Sequence, residues 1–251
     1  MKNACLFLAL LLALCACQKD GGSDAGESAS PDGSGQGGSM ARFAVVGNYL
    51  YTVDEYKLQA FDISNAAAPV RVSSAYVGFD IETIFPNDGY LFIGSRNGMY
   101  IYDVNAANSA QPEALSMVPH AYSCDPVAVN DKYAFVTLNN GNVSCQRNVN
   151  ELQIISIANK SRPEFIKSYP MEGPQGVGVD DTTLFVCDKD FLKVYNAANV
   201  NNIELRHKFP FPDAYDVIPS GNLLVAMGSH GLRQYRYTAD TIIQLSQIDV
   251  E

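Results

Sequence analysis

From Arg42 onward the chain consists of short apolar runs, rich in β-branched and aromatic side chains and broken by Gly, Asn, Asp and Pro. Five runs align: YLYTV (49–53), YLFIG (90–94), YAFVT (133–137), TLFVC (183–187) and NLLVA (222–226). Each is followed by a second run: LQAFDI (58–63), MYIYDV (99–104), LQIISI (152–157), LKVYNA (192–197) and LRQYRY (232–237). The starts of these second runs lie 41, 53, 40 and 40 residues apart. Runs of this length and composition read as strands packed on both faces. No stretch of the region sustains a helical period, so the region is predicted to be all-β.

A further strand precedes each first run (43–46, 81–85, 127–129, 176–179 and 216–218), and a fourth follows each turn, as at 70–76 and 164–168. Asp62, Asp103 and Asn196 close their strands, with Pro69, Pro112 and Pro163 placed as turn residues. Four strands in roughly 42 residues is the size of a propeller blade. Five such units fill the chain, giving a five-bladed β-propeller over 42–251 with blades at about 42–78, 79–122, 123–172, 173–212 and 213–251. A single sandwich is the competing architecture, but it does not require strands to recur in groups of four.

The third-strand motif reads LQAFD, MYIYD, LQIIS, LKVYN and LRQYR, followed by Ser or Asn and then Pro. It resembles the LVIVD repeat of bacterial and archaeal cell-surface proteins, over nearly the whole of 42–251. Asn196 and Arg236 stand where the motif has Asp. The resemblance implies a propeller at the cell surface and no single reaction.

The N-terminal segment carries a different signal. Lys2 supplies a positive charge and Ala4 to Leu14 eleven apolar positions, too short a run to span a bilayer. It ends in Leu14-Cys15-Ala16-Cys17, which resembles the bacterial lipobox, where a small residue precedes the acylated Cys. Residues 1–16 are therefore expected to be a lipoprotein signal peptide and Cys17 the lipid attachment site, since Cys15 follows the bulky Leu14. The resemblance implies a thioether-linked diacylglycerol and an amide-linked acyl chain (palmitate or similar), enough for stable attachment to a membrane. Residues 17–41 hold the lipidated Cys and a linker whose last 24 residues include seven glycines and five serines. Such a coil reaches about 25–30 Å. Gln18 is not the Asp of an inner-membrane retention signal, which favours the outer membrane, periplasmic or surface-facing.

Composition narrows the function classes. The chain is 47% hydrophobic and 18% charged with a net charge of −10, which gives no electrostatic footprint for nucleic acid. Removing the leader and Cys17 leaves Cys124, Cys145 and Cys187 in an oxidising setting. In a four-stranded blade, the connection into strand one and the turn between strands two and three share a face of the disc. A disulfide between Cys124 and Cys145 is topologically allowed and would pin the long insertion 139–150. Cys145 with Cys187 is the competitor, and Cys187 also reads as a small buried apolar residue.

The same face collects the candidate binding residues: Asp54, Glu55 and Tyr56 in the first turn, Arg96 in the second and Arg147 in the insertion. Asp188, Lys189 and Asp190 follow in the fourth turn and His230 in the fifth. Asp80, Asp125 and Asp213 precede the first strands of blades two, three and five and are candidates for the channel mouth, where an acidic ring can hold calcium. The three histidines have no ligand spacing, and no nucleophile elbow, P-loop or dinucleotide fingerprint occurs. No catalytic residue, resident metal or other cofactor is expected. The functional expectation is a lipid-anchored, non-enzymatic binding module for a protein or glycan at the cell envelope. Its rivals are an extracellular hydrolase or lyase with an acidic site at the channel mouth, and a structural accessory of an envelope complex.

Overall fold

The computed structural model describes residues 37–119, 126–139 and 149–250. Cys17, Cys124, Asp125, Cys145 and Arg147 lie outside the described residues, as does the leader. Blade 1 holds β1 (Phe43–Val46), β2 (Tyr49–Val53), β3 (Lys57–Asp62) and β4 (Val70–Tyr76). Blade 2 holds β5 (Ile81–Asn87), β6 (Tyr90–Ser95), β7 (Gly98–Asp103) and β8 (Glu113–Pro119), and blade 3 β9 (Val127–Val129), β10 (Tyr133–Leu138), β11 (Glu151–Ser156) and β12 (Glu164–Pro170). Blade 4 holds β13 (Pro174–Asp180), β14 (Thr183–Asp188), β15 (Phe191–Asn196) and β16 (Glu204–Pro210), and blade 5 β17 (Ala214–Ser220), β18 (Leu223–Gly228), β19 (Gly231–Tyr237) and β20 (Ile242–Asp249). Each blade is an antiparallel sheet of consecutive strands, and the architecture is the five-bladed β-propeller that the repeats predict.

Sequence repetition becomes geometric repetition. In every blade the register between the third and fourth strands shifts just before the motif's fourth position, at Ala60/Phe61, Ile101/Tyr102, Ile154/Ile155, Val194/Tyr195 and Gln234/Tyr235. Such bulges increase local twist. The residue at the end of the third strand, just after it in blades 1 to 4 and its last residue in blade 5, then donates its N–H to the hairpin between the first two strands: Ile63 to Asn48, Val104 to Gly89, Ile157 to Lys132, Ala197 to Thr182 and Tyr237 to Asn222. The motif Asp shapes the turn that follows it, since Asp62 accepts from Ser64 N and Asp103 from Asn105 N. Asn196 does the same for Ala198 N, so that departure from the motif preserves the turn. At Arg236 it is lost, and blade 5 turns instead on Thr238 and Thr241.

Contacts between neighbouring blades run through the first strands, β1 to β5, β5 to β9, β9 to β13 and β13 to β17, while the fourth strands are mostly exposed. The first strands therefore line the axis and the fourth form the rim. Side chains alternate between the two neighbours: Leu184 and Val186 pack toward blade 3, Phe185 and Cys187 toward blade 5. The core falls into three clusters among the described residues. One joins blades 1 and 2, one joins blades 2, 3 and 4, and one joins blades 4 and 5. None joins blade 5 to blade 1.

That seam is spanned by a segment the sequence assigns to the free linker. Ser39 is buried; its hydroxyl donates to Asp216 Oδ1 of β17 at 2.9 Å and accepts Val177 N of β13 at 2.9 Å. Ala41 O accepts Ile84 N of β5 at 2.8 Å. Touching the innermost strands of blades 2, 4 and 5, residues 37–41 run along the axis. The linker expectation fails here because a Gly/Ser-rich stretch can dock through its backbone and one hydroxyl, which composition does not reveal. Burial pushes the Asp216 carboxyl up, against the hydrogen bonds from Ser39, Val217 and Met40. A raised folded-state value means Asp216 favours folding fully below the ordinary Asp pKa of about 3.9 and loses that contribution as pH rises through the folded value. Asp216→Asn removes the titration. Its melting temperature minus that of the wild type is expected to fall as pH drops from 7 to 4, and a constant difference counts against the buried carboxyl.

Candidate binding face

The face carrying the turns between second and third strands is not evenly decorated. On blades 1 and 2 the expected residues come together. Glu55 O accepts Ile81 N at 3.1 Å and Tyr56 O accepts Val77 N at 2.9 Å, which ties the first turn to the connection between the blades. Asp80 sits at φ 48° just before β5, and its carboxylate meets Arg96 Nη1 at 2.9 Å. Arg42 Nη2 donates to Ile81 O at 2.6 Å beneath them. The rings of Tyr56 and Phe79 lie 6.4 Å apart, both exposed, and Tyr76 beside them is 68% exposed. The charge of Glu55 pushes the Tyr56 phenol up. Asp54 is occupied locally: the backbone N–H groups of Tyr56 and Lys57 each reach its Oδ1 at 2.8 Å, and the first of these leads in holding its carboxyl low.

Tyr76 and Phe79 are absent from the sequence-based set. Tyr76 ends β4 and Phe79 lies in the connection 77–80, and only the fold shows that they remain exposed. Three solvent-facing aromatic rings among a carboxylate and an Arg–Asp pair form a surface that can stack on a sugar or seat a peptide side chain.

Elsewhere the expected residues serve other ends. Asp188 is a correction: it is fully buried and unavailable to a partner. It accepts from Glu172 N at 2.9 Å, Gly173 N at 2.7 Å and Lys193 Nζ at 2.6 Å. Burial opposes the Lys193 charge, but the bond to Asp188 wins and holds its pKa above the ordinary lysine value. Glu172 is the other partner of Lys193, at 3.3 Å. The turn tip, Lys189 at φ 59° and Asp190, remains exposed. His230 Nε2 lies 3.7 Å from Asp213 Oδ2, both largely exposed at blade 5. Of the channel-mouth set, Asp80 is thus paired with Arg96 and Asp213 faces His230. Among the described residues no group of three His, Cys, Asp or Glu is placed to hold a metal. Cys187 is a free thiol wholly buried between blades 4 and 5, its pKa pushed up by burial.

A cavity of about 680 Å³ opens on the opposite face, lined by Asn87, Asn130, Asp131, Lys132, Asp180 and Asp181. Gly37, at the start of the axial segment, also lines it. Asp180 is held by Tyr237, whose hydroxyl donates to Oδ2 at 2.7 Å.

Comparison with known proteins agrees with this architecture. No curated protein matches the sequence. The structure resembles a functionally unknown protein from Desulfotomaculum acetoxidans DSM 771, with TM-score 0.67 and 12% identity over 83% of this chain and 69% of that one. It also resembles the periplasmic gluconolactonase PpgL of Pseudomonas aeruginosa, with TM-score 0.62 and 12% identity over 81% and 68% of the two chains. BamB from Moraxella catarrhalis superposes with TM-score 0.56 and 12% identity over 76% of this chain and 55% of that one. Such identities speak for the fold alone. The family model described as the LVIVD repeat matches residues 37–77 and 146–170, which span blade 1 and the outer half of blade 3. The chain is a β-propeller of five four-stranded blades, two segments of which match the LVIVD repeat.

Proposed function

We propose that this chain is a lipid-anchored, exported β-propeller that acts as a non-enzymatic binding module at the cell envelope, with the blade 1–2 surface as its contact. The observation that carries the reading is the convergence of Tyr56, Tyr76 and Phe79 with Glu55, Asp80 and Arg96 on one face. The lipobox-like Leu14-Cys15-Ala16-Cys17 supports the anchor. Fold likeness to a periplasmic gluconolactonase is compatible with an envelope setting. The partner is a protein or glycan, recognised by stacking and by the Arg–Asp pair.

The test is cross-linked capture from intact cells with the lipidated protein. Tyr76→Ser combined with Phe79→Ser is expected to reduce recovery of the partner at least tenfold with an unchanged melting temperature, because both rings are exposed. Lys132→Glu, on the opposite face, is expected to change nothing. Equal recovery by wild type and double variant overturns the assignment. Cys17→Ser is expected to move the protein from the membrane fraction to the soluble fraction.

A second reading, a hydrolase acting on a lactone or extracellular polymer, draws on the cavity with Asp131, Asp180 and Asp181 on its wall. Its site would lie on the face opposite the expected channel mouth. Turnover of an aldonolactone that is abolished by Asp131→Asn with Asp181→Asn would establish it.

A further inference from the structure

Rings and cations meet repeatedly in this molecule. Lys160 Nζ lies 5.3 Å from the centroid of the Tyr90 ring, and Lys167 Nζ 5.2 Å from that of Tyr169. Lys208 Nζ lies 3.7 Å from the Phe191 centroid, and Arg233 Cζ 4.3 Å from that of Phe211. Each pair sets a positive charge against the negative face of a ring. The pairs involve blades 2 to 5, and the four rings they cover are buried or half-buried. Among the described residues no cation takes such a place over Tyr56, Tyr76 or Phe79, although these rings are more exposed than any of the four.

The charged groups around these rings are not equally engaged. Asp80 pairs with Arg96, and Arg42 donates to Ile81 O and Glu82 O. Asp54 takes the N–H groups of Tyr56 and Lys57, and the charge of Lys57, which lies opposite Tyr76 in the sheet, adds to those bonds in holding its carboxyl low. Glu55 has no cation within 4 Å among the described residues. Its charge is the first cause that pushes the Tyr56 phenol up, and Asp80 and Tyr76 act in the same direction. The Tyr56 and Phe79 planes are inclined by 41° with centroids 6.4 Å apart. They do not form the single plane on which a sugar ring stacks, whereas a point charge above the pair can lie within about 6 Å of both centroids.

We propose that the blade 1–2 surface recognises a cationic side chain of a protein partner, a lysine or arginine seated over the Tyr56 and Phe79 rings, flanked by Tyr76 and met by the carboxylate of Glu55. The inference rests on the reading of this surface as the contact site and names the chemistry that it takes. Charge complementarity selects the occupant. The surface offers ring faces without a cation beside a carboxylate without a cationic partner, and the chain itself completes the same ring contact at four other places. An excess of acidic side chains, 27 against 17 basic ones, favours the approach of a positively charged segment.

The test titrates the full chain with Cys17→Ser, which prevents lipidation, and follows the tyrosine ring resonances. The probes are a blocked glycine peptide carrying two arginines and its counterpart with citrulline, which is neutral and nearly the same shape. The arginine peptide is expected to bind about tenfold more tightly, and raising sodium chloride from about 50 to about 500 mM to weaken it alone. Phe79→Leu keeps an apolar side chain without the ring, and Glu55→Gln keeps the shape without the charge. Each is expected to weaken the arginine peptide about threefold with the thermal melt retained, since both residues are exposed. Lys132→Glu, on the opposite face, is expected to leave binding unchanged. Absence of binding, equal affinity for the two peptides, indifference to both substitutions, or binding of chitohexaose in place of the arginine peptide overturns the proposal. Cross-linked capture judges the surface separately: capture lost in the Tyr76→Ser, Phe79→Ser double variant with no preference for arginine keeps the surface as the contact and removes the cation from it.

Discussion

Gly176→Ala is expected to be a strongly damaging substitution. A Cβ at this position of β13 would sit 2.5 Å from Asp216 Cα and 2.5 Å from Tyr215 O, both backbone atoms of the neighbouring inner strand. No rotamer change relieves a clash with main chain, so blades 4 and 5 must separate and their shared core of Phe185, Leu224 and Tyr235 must open with them. Overpacking of this kind costs about 3 kcal/mol. In a domain of this size that is a fall of about 6–12 °C in melting temperature. Gly221→Ala is the control. Gly221 has φ 59° but nothing within 4 Å of the added carbon, so only conformational strain of about 1 kcal/mol is expected. Equal melting temperatures for the two variants would show that β13 and β17 are not in close contact.

Lys193→Met is the second. It strips the ammonium from Asp188 and leaves a fully buried carboxylate with two backbone donors, Glu172 N and Gly173 N. Removing one member of a buried pair typically costs about 3 kcal/mol. Combining it with Asp188→Asn is expected to recover part of the loss, because the uncompensated charge disappears. The pH dependence has a definite sign. Lys193 is held above the ordinary lysine value, so its contribution is complete below about pH 10 and is lost as pH rises beyond it. Denaturant melts between pH 8 and 11 are expected to show a steeper alkaline loss for the wild type than for Lys193→Met, and parallel curves would refute the pairing.

The fold was legible because strand patterning is local. β1 and β9 begin and end where the alternation of side chains places them, and the other first strands extend the expected runs by only a few residues. Repetition supplied the rest, since four strands per unit and five units leave little topological freedom. What escaped was everything set by the third dimension. Asp188 reads as a charged turn residue, yet it ends β14 beneath the loop 172–173 and turns inward. Ser39 reads as linker, and one hydroxyl with two partners on distant strands makes it a structural element. Tyr76 ends the expected fourth strand of blade 1 and Phe79 follows it, and only the fold, in which both stay exposed among the described residues, makes them a surface. That no core cluster of the described residues joins blades 1 and 5 is equally invisible, because each strand alone looks like its packed counterparts.

The axial route of residues 37–41 also bears on mechanics. A pull on the chain from beyond Gly37 is delivered to the centre of the wheel, where Ser39 grips two blades and Ala41 a third. The load is thereby shared as shear across several sheets, and β1 is spared the sequential unzipping that a strand tugged from its free edge would suffer.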